Sequence, residues 1–199
     1  MKKDSILISG ICGDIGCSAV RALRDSVSRI VGCDINQHSP VSDIVDKFYE
    51  APTASAKDHY IDFLRGVIRE ENICFFLPIS EPEIEAVDSI REELEALGVR
   101  LLLNNEKILD NFLDKLSTVQ YLNSIGIRVP KTTLLSNYDS SFGFPVIIKA
   151  RKGSGSKSLW IADNSVDLDY IKTKDNGDLI VQESIGLAKD EYTTGVFSD

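Results

Sequence analysis

The sequence predicts an α/β protein that begins with a doubly wound parallel sheet and continues into a smaller α+β domain. Strand-sized apolar runs alternate with amphipathic helices along the first part of the 199 residues. Such alternation is typical of a parallel sheet that is covered by helices on both faces. The pattern changes after Asn104, and the boundary is predicted near Phe112. The two predicted domains are therefore residues 1–112 and 113–199.

Four apolar segments predict the strands of the first sheet, and they are residues 5–9, 29–33, 73–79 and 99–103. Apolar residues recur at helical spacing in three intervening segments, 20–27, 61–68 and 84–97. Ser80 is predicted to cap the third of these helices, with Glu83 completing a capping box and Gly98 ending the helix. The residues between the second strand and the second helix are predicted to form a long polar loop.

The second domain is predicted from a helix and two strands. The helix starts at Leu113, ends at Gly126 and directs four side chains toward a core: Leu116, Tyr121, Leu122 and Ile125. The β-branched run 146–148 predicts a buried strand that ends in Lys149. A second strand is predicted over 179–185, with an acid, Glu183, near its end.

Composition limits the classes of partner and site. The chain has 31 acidic and 22 basic residues and a net charge of -9, which argues against a nucleic-acid or anionic-membrane partner. No basic N-terminal segment precedes an apolar run of signal-peptide length, so a cytoplasmic location is expected. The four cysteines show no C-x-x-C spacing, and the two histidines, His38 and His59, lack companions for a zinc site. We expect no metal site within this chain.

A glycine- and serine-rich loop follows Lys149. Gly153 and Gly155 alternate with serines at 154, 156 and 158, and cations flank them at 151, 152 and 157. Such a loop can turn its amides toward a polyphosphate while the cations offset the phosphate charge. A lysine at the end of an apolar strand is costly to bury without a partner, which favours a phosphate near Lys149.

Several sequence segments, in their order along the chain, resemble the carbamoyl-phosphate-synthase-like branch of the ATP-grasp superfamily. The first part resembles the Rossmann-like pre-ATP-grasp domain of that family through residues 8–16, 31–35, 46–49 and 77–83. The second part resembles the N-terminal part of the ATP-grasp domain through residues 113–115, 125–130, 144–158, 181–185 and 190–193. The resemblance implies a parallel sheet followed by an incomplete ATP-grasp domain.

The resemblance also implies which residues bind ATP. Lys115 and Lys149 match the family's basic positions that contact the phosphates. The loop that closes over the triphosphate matches Gly153, Ser154, Gly155, Ser156, Lys157 and Ser158. The hinge whose main chain meets the adenine edge matches Glu183, Ser184 and Ile185. Glu191 matches the acid that binds the ribose hydroxyls.

The function implied by the resemblance is that of an ATP-dependent carboxylate–amine ligase acting through an acyl-phosphate. Its partners would be ATP, a small carboxylate and an amine. The family holds Mg²⁺ through acids of a second lobe, and we do not find that lobe in this sequence. We therefore expect a truncated or incomplete ligase that by itself binds ATP weakly or not at all and lacks ligase activity. The strand from Glu191 would have an unpaired edge, which leaves homo-oligomerisation open.

Two other functions remain open from the residues themselves. Gly10, Gly13 and Gly16 form G-x-x-G-x-x-G, and Asp34 ends the second strand, as in nicotinamide-dependent oxidoreductases. The same glycines would serve a tight turn from strand to helix without any cofactor. A non-catalytic nucleotide-binding scaffold is the other alternative.

A substrate site is a further possibility at the carboxyl end of the third strand. Ser80, Glu81 and Glu83 lie where open α/β sheets bind ligands, together with Gly10 and Gly13 of the glycine turn. The competing interpretation makes Ser80 an N-cap and the two glutamates first-turn acids that complement the helix dipole. The two interpretations are compatible.

Overall fold

A computed structural model describes residues 4–36, 40–153, 158–186, 192 and 194. The chain divides into two compact units, Met1–Glu106 and Lys107–Asp199. The boundary predicted near Phe112 lies at the C-terminal end of the helix that begins at Glu106. No helix in the described part of the chain is long and apolar enough to span a membrane.

The N-terminal unit is a five-stranded parallel sheet with helices on both faces. Its strands are β1 (Ser5–Ser9), β2 (Arg29–Asp34), β3 (Lys47–Glu50), β4 (Phe75–Leu77) and β5 (Arg100–Leu101). Its helices are α1 (Asp14–Leu23), α2 (Lys57–Glu70), α3 (Glu81–Asp88) and α4 (Arg91–Ala96). The strand order is β3-β2-β1-β4-β5, and every pair is parallel. The predicted doubly wound sheet is confirmed, with its topological switch point between β1 and β4.

Alternate residues of the central strand supply two hydrophobic cores. Leu7 of β1 packs in the core that includes Tyr60 and Leu64 of α2. Ile6 and Ile8, which point to the opposite face, pack in the core that includes Val20 of α1. Because both faces are covered, all five residues of β1 are buried.

The long polar loop predicted before α2 was wrong. This segment contains a 3-10 helix, Pro40–Ile44, and the edge strand β3. The strand has only two apolar residues between charged ends, so its extended conformation depends on pairing with β2 rather than on local pattern.

The helix predicted across 84–97 is in fact two helices, α3 and α4. The Ser89 hydroxyl donates to the Ala86 carbonyl at 2.7 Å, a local bond that competes with helix continuation. Leu97, predicted to face inward, is 41% exposed after the second helix. The predicted capping box at Ser80 and Glu83 is present.

The C-terminal unit is an antiparallel sheet with flanking helices. Its strands are β6 (Thr132–Leu134), β7 (Val146–Ala150), β8 (Leu159–Ala162) and β9 (Leu179–Glu183), in the order β6-β9-β7-β8. The helices are α5 (Glu106–Phe112), whose first residue closes the first unit, α6 (Lys115–Ser124) and α7 (Ser165–Lys172). Val146 and Ile148 are buried in one core with Leu168 and Ile171 of α7. Lys149, as the alternate residue, lies on the other face of the sheet.

The core predicted for α6 is absent, since the helix has no fully buried residue. Leu116 does not share a helical face with Tyr121, Leu122 and Ile125, so the four residues cannot form one apolar stripe. Ile125 is 55% exposed. Tyr121 instead packs edge-on against Phe112, with ring centroids 5.8 Å apart.

The glycine turn after β1 gives a prediction about stability. A Cβ on Gly16 would clash with the Gly10 carbonyl oxygen and would lie 2.6 Å from the Ile11 Cα, so the backbone would have to move. We expect Gly16→Ala to destabilise the N-terminal unit by about 3 kcal/mol, the upper end of an overpacking cost. Urea unfolding monitored by circular dichroism would measure the change.

Gly66→Ala in α2 is the matched control, because a Cβ there meets no atom within 4 Å. It should stabilise the chain by about 0.5–1 kcal/mol through the lower backbone entropy of alanine. Equal stabilities for the two variants would contradict the steric role of Gly16.

Candidate functional site

Lys149 is held at the end of β7 by a chain of hydrogen bonds across three strands. The half-buried Lys149 donates from Nζ to Gln182 Oε1 of β9 at 2.8 Å. Gln182 Nε2 donates to Thr132 Oγ1 of β6 at 2.9 Å. Thr132 Oγ1 donates in turn to the Pro130 carbonyl at 2.9 Å. The lysine therefore has a defined position on the sheet face opposite α7.

Lys115 is hydrogen-bonded to main-chain carbonyls at the start of the glycine- and serine-rich loop. Its backbone N–H donates to the Arg151 carbonyl at 2.9 Å. Its Nζ donates to the Gly153 carbonyl at 2.7 Å and to the Arg151 carbonyl at 3.4 Å. These carbonyls bring the first residue of α6 to the end of β7, where Lys149 also lies.

Asp114 joins the start of α6 to the end of β7. Its pairing with Arg151 was not predicted from the sequence. The buried carboxylate caps α6 by accepting from the N–H groups of Leu116 at 2.8 Å and Ser117 at 3.3 Å. It also accepts from the Arg151 guanidinium, with Nη2 2.5 Å and Nε 3.3 Å away. An aspartate directly before a helix is a recognisable N-cap signal, but the ion-pair partner is distant in sequence.

The electrostatics of these groups favour an anion beside the two lysines. Burial lowers the pKa of the Lys149 ammonium, and the nearby charge of Lys115 lowers it further. A cation whose charged form is disfavoured by burial and by a neighbouring cation is stabilised when a negative group lies near it. Burial alone would raise the pKa of Asp114, but the Arg151 guanidinium and the two capping amides hold it below its usual range.

The ends of the predicted phosphate loop are described, and its centre lies outside the described residues. Gly153 has φ +89°, a conformation that favours glycine. At the other end, the Ser158 carbonyl accepts from the Ala150 N–H at 3.3 Å, which closes the base of the loop. The predicted loop residues Ser154, Gly155, Ser156 and Lys157 fall outside the described part of the chain.

The predicted hinge follows β9. Glu183 is paired with the residue before β6, since its N–H donates to the Lys131 carbonyl at 2.8 Å and its Oε2 accepts from the Lys131 N–H at 3.2 Å. Ser184 and Ile185, which come next, are both exposed. Glu191, the predicted ribose ligand, lies outside the described residues.

The N-terminal unit brings several of the predicted substrate residues together. Glu83 is buried, and its Oε2 accepts from the Ser80 N–H at 2.9 Å and the Ser80 hydroxyl at 2.8 Å. Its Oε1 accepts from the buried Tyr60 hydroxyl at 3.2 Å, a partner that sequence reasoning missed. A Cβ on Gly10 would lie 3.5 Å from Glu83 Oε2, so this glycine approaches the same carboxylate. Burial, followed by the charge of Glu83, raises the pKa of Tyr60.

The other two substrate candidates are placed differently. Gly13 donates its N–H to the Gly10 carbonyl at 3.2 Å and so belongs to the turn itself. Glu81 lies half-exposed in the first turn of α3. Neither has a contact that assigns it to a ligand, so both remain candidates.

The geometry of Asp34 bears on the nicotinamide hypothesis. Its buried carboxylate accepts from the Cys12 N–H at 2.9 Å, the Asn36 N–H at 2.9 Å and Asn36 Nδ2 at 3.3 Å. Its oxygens are thus engaged in holding the glycine turn against β2. With the positive φ of Gly10 and the close approach of Gly16 to it, this arrangement accounts for Gly10, Gly16 and Asp34 without a cofactor.

Metal-ligating side chains are not clustered in the described residues. No group of three or more His, Cys, Asp or Glu side chains is placed there to hold a metal ion. The described residues therefore do not fit a Mg²⁺ site of their own.

Comparison with known proteins agrees with this architecture. A family model described as the PylC-like N-terminal domain matches residues 6–102. The curated carbamoyl-phosphate synthase of Methanobrevibacter smithii is 24% identical over 162 residues, which cover 77% of this chain and 42% of that protein.

Solved structures share the fold across both units. N5-carboxyaminoimidazole ribonucleotide synthetase from Thermotoga maritima matches with a TM-score of 0.68 and 21% identity, over 93% of this chain and 47% of that one. The biotin carboxylase domain of 2-oxoglutarate carboxylase from Hydrogenobacter thermophilus, solved with MgADP, ADP and bicarbonate, matches with a TM-score of 0.69 and 18% identity, over 93% of this chain and 45% of that one.

The fold and these matches support the predicted resemblance to the ATP-grasp superfamily. The curated match supports its carbamoyl-phosphate-synthase-like branch. The chain spans less than half the length of each of these three relatives.

The Asp114–Arg151 pair gives a prediction about pH. The pKa of Asp114 is lowered in the folded state, so the charged carboxylate stabilises the fold. This contribution is complete above the ordinary aspartate pKa of about 3.9 and is lost as the pH falls through the pKa of the folded state. Asp114→Asn keeps a capping oxygen but removes the charge. We expect this variant to be less stable at pH 7 by about 1–3 kcal/mol. Urea unfolding at pH 7 and pH 3 should show that difference shrinking in acid.

Asp169→Asn is the control, because the ion pair of Asp169 with Lys172 is solvent-exposed, with 3.6 Å between Lys172 Nζ and Asp169 Oδ1. Its stability should differ little from that of the parent at either pH. A stability deficit for Asp114→Asn that stays the same at pH 3 would show that capping, rather than the ion pair, is the source of the effect.

Proposed function

We propose that this chain forms the pre-ATP-grasp domain and the first nucleotide-binding lobe of an ATP-dependent carboxylate–amine ligase. The observation that supports the proposal most directly is the convergence of Lys115 and Lys149 at the base of the glycine- and serine-rich loop. Both lysines are placed by hydrogen bonds to neighbouring strands and carbonyls, so their position does not depend on a ligand.

The proposed reaction has two steps. A carboxylate oxygen attacks the γ-phosphorus of ATP, which forms an acyl-phosphate and releases ADP. An amine then attacks the acyl carbon and releases phosphate. Lys115 and Lys149 would offset charge on the phosphate oxygens as the phosphoryl group is transferred. The family's Mg²⁺ would supply further charge neutralisation, and no step is assigned to it because the described residues do not fit a site for it.

The adenine is proposed to lie beside the end of β9. The mutual hydrogen bonds of Glu183 and Lys131 fix the strand end, and the exposed main chain of Ser184 and Ile185 follows directly. The face of the sheet that carries Lys149 also carries Leu159 and Ile161 of β8, which are 46% and 59% exposed. An apolar purine ring would cover such side chains, while the triphosphate would extend toward the two lysines.

For the substrates, the N-terminal unit offers the carboxyl end of β1 and β4. Glu83 is already bonded to Ser80 and Tyr60, so its proposed part is to fix the turn around Gly10 rather than to react. The nicotinamide alternative is less favoured, because Asp34 holds the glycine turn.

Nucleotide binding to the ¹⁵N-labelled chain tests the proposal. We expect ATP to shift the amide signals of Glu183 to Gly186 and NADPH to leave them unchanged, with a dissociation constant for ATP on the order of 1 mM. Lys149→Gln should weaken ATP binding about tenfold, since a charge-assisted bond to phosphate is lost.

Lys172→Gln provides the charge-matched control, because Lys172 lies on α7, against the opposite face of the sheet from Lys149. It should bind ATP as the parent does. A response to NADPH alone, or an equal loss of ATP affinity in both variants, would refute the nucleotide site.

A further inference from the structure

Gln182 lies in the middle of the hydrogen-bond chain that holds Lys149. It stands opposite Ile147 of β7 and opposite Thr132 of β6, so its side chain is on the same sheet face as Lys149. Lys149 is two residues along β7 from Ile147, a diagonal separation that long side chains can span. The amide oxygen accepts from Lys149 Nζ at 2.8 Å, and the amide nitrogen donates to Thr132 Oγ1 at 2.9 Å. Both ends of the amide are therefore engaged.

The hydroxyl of Thr132 determines which end of this amide meets the lysine. A hydroxyl has one proton, and that of Thr132 is donated to the Pro130 carbonyl at 2.9 Å. Thr132 Oγ1 can therefore only accept from Gln182, which turns the amide nitrogen toward β6. The amide oxygen is left facing Lys149, whose ammonium group can only donate.

The contact between Gln182 and Lys149 differs from an ion pair, because the amide carries no net charge. Burial and the charge of Lys115 both lower the pKa of Lys149. A carboxylate at position 182 would counter both effects and pair with the ammonium. The neutral amide oxygen instead gives Nζ a defined place without cancelling its charge.

We propose that Gln182 is a positioning residue for phosphate binding: it holds the Lys149 ammonium through a neutral oxygen and so keeps its charge available to the nucleotide phosphates. The inference rests on the proposed nucleotide site and assigns Gln182 a part in it. Because Gln182 acts through Lys149, its effect belongs to the phosphates and not to the adenine.

Two substitutions in the full chain separate this role from a structural one. Gln182→Glu keeps an acceptor oxygen for Lys149 but adds a counter-charge, and it should weaken ATP binding about tenfold. Gln182→Met keeps the length but removes both hydrogen bonds, and it should weaken ATP binding only about threefold. A purely structural role would reverse this order, because Gln182→Met is the variant that loses the bond to Lys149. Titration of the ¹⁵N-labelled proteins with ATP measures the dissociation constants, and the reversed order would overturn the proposal.

The titration of Lys149 gives a second readout, which does not require ATP. The counter-charge of Gln182→Glu should raise the pKa of the ammonium, so the Lys149 side-chain NMR signal should titrate at higher pH than in the parent. Gln182→Met adds no charge and should not raise it. A Lys149 pKa that is unchanged in Gln182→Glu would overturn the proposal even where ATP binds.

Adenosine and Gln120→Glu provide the controls. Adenosine has no phosphate, so Gln182→Glu should bind it as the parent does. Gln120→Glu adds the same charge at an exposed position on α6 and should bind ATP as the parent does. An equal loss of ATP affinity in Gln120→Glu, or a matching loss for adenosine in Gln182→Glu, would overturn the role of Gln182. A parent chain that binds no ATP would instead refute the proposed function.

Discussion

The ion pair between Asp114 and Arg151 joins the start of α6 to the end of β7, and the arrangement of the candidate phosphate lysines depends on it. Asp114 orders the first turn of α6 through its capping bonds, and Lys115 is the next residue. Arg151 fixes the same turn from the other side, because its carbonyl accepts from the Lys115 backbone. Three cations would otherwise meet at one strand end, and a single buried carboxylate offsets part of their repulsion. The two lysines can therefore lie near one another without a ligand.

The two units use their buried polar groups differently. In the N-terminal unit the acids are engaged within the fold: Asp34 holds the glycine turn, and Glu83 holds Ser80 and Tyr60. Glu71 belongs with them, since a hydrogen bond from Tyr49 and the Arg29 guanidinium keep its pKa low. At the end of β7, in contrast, Lys115 and Lys149 donate to neutral oxygens of Arg151, Gly153 and Gln182. This difference explains why the proposed phosphate site belongs to the C-terminal unit although the chain as a whole is acidic.

Predictions from the sequence were correct where the structure depends on residues that are close together in the chain. The β-branched run before Lys149 gave β7, and the capping box at Ser80 is present, because both depend on residues close in sequence. The edge strand β3 and the exposed face of α6 were missed, since strand pairing and packing decide them. The partners of Lys149 and Asp114 were missed for the same reason: Gln182 is 33 residues from Lys149, and Arg151 is 37 from Asp114. Such distant contacts leave no periodic signal in a single sequence.

Consecutive residues at the end of β7 serve opposite faces of one sheet, and this has an energetic consequence. Lys149 lies on the proposed nucleotide face, Ala150 lies on the face packed against the core under α7, and Arg151 acts through two of its groups. Its carbonyl accepts from Lys115, whereas its guanidinium pairs with Asp114. A ligand that competes with Asp114 for the guanidinium would loosen the capped start of α6 and with it the position of Lys115. Thermodynamic linkage makes that effect reciprocal, so phosphate bound beside Lys115 would change the affinity of the competing ligand by the same factor.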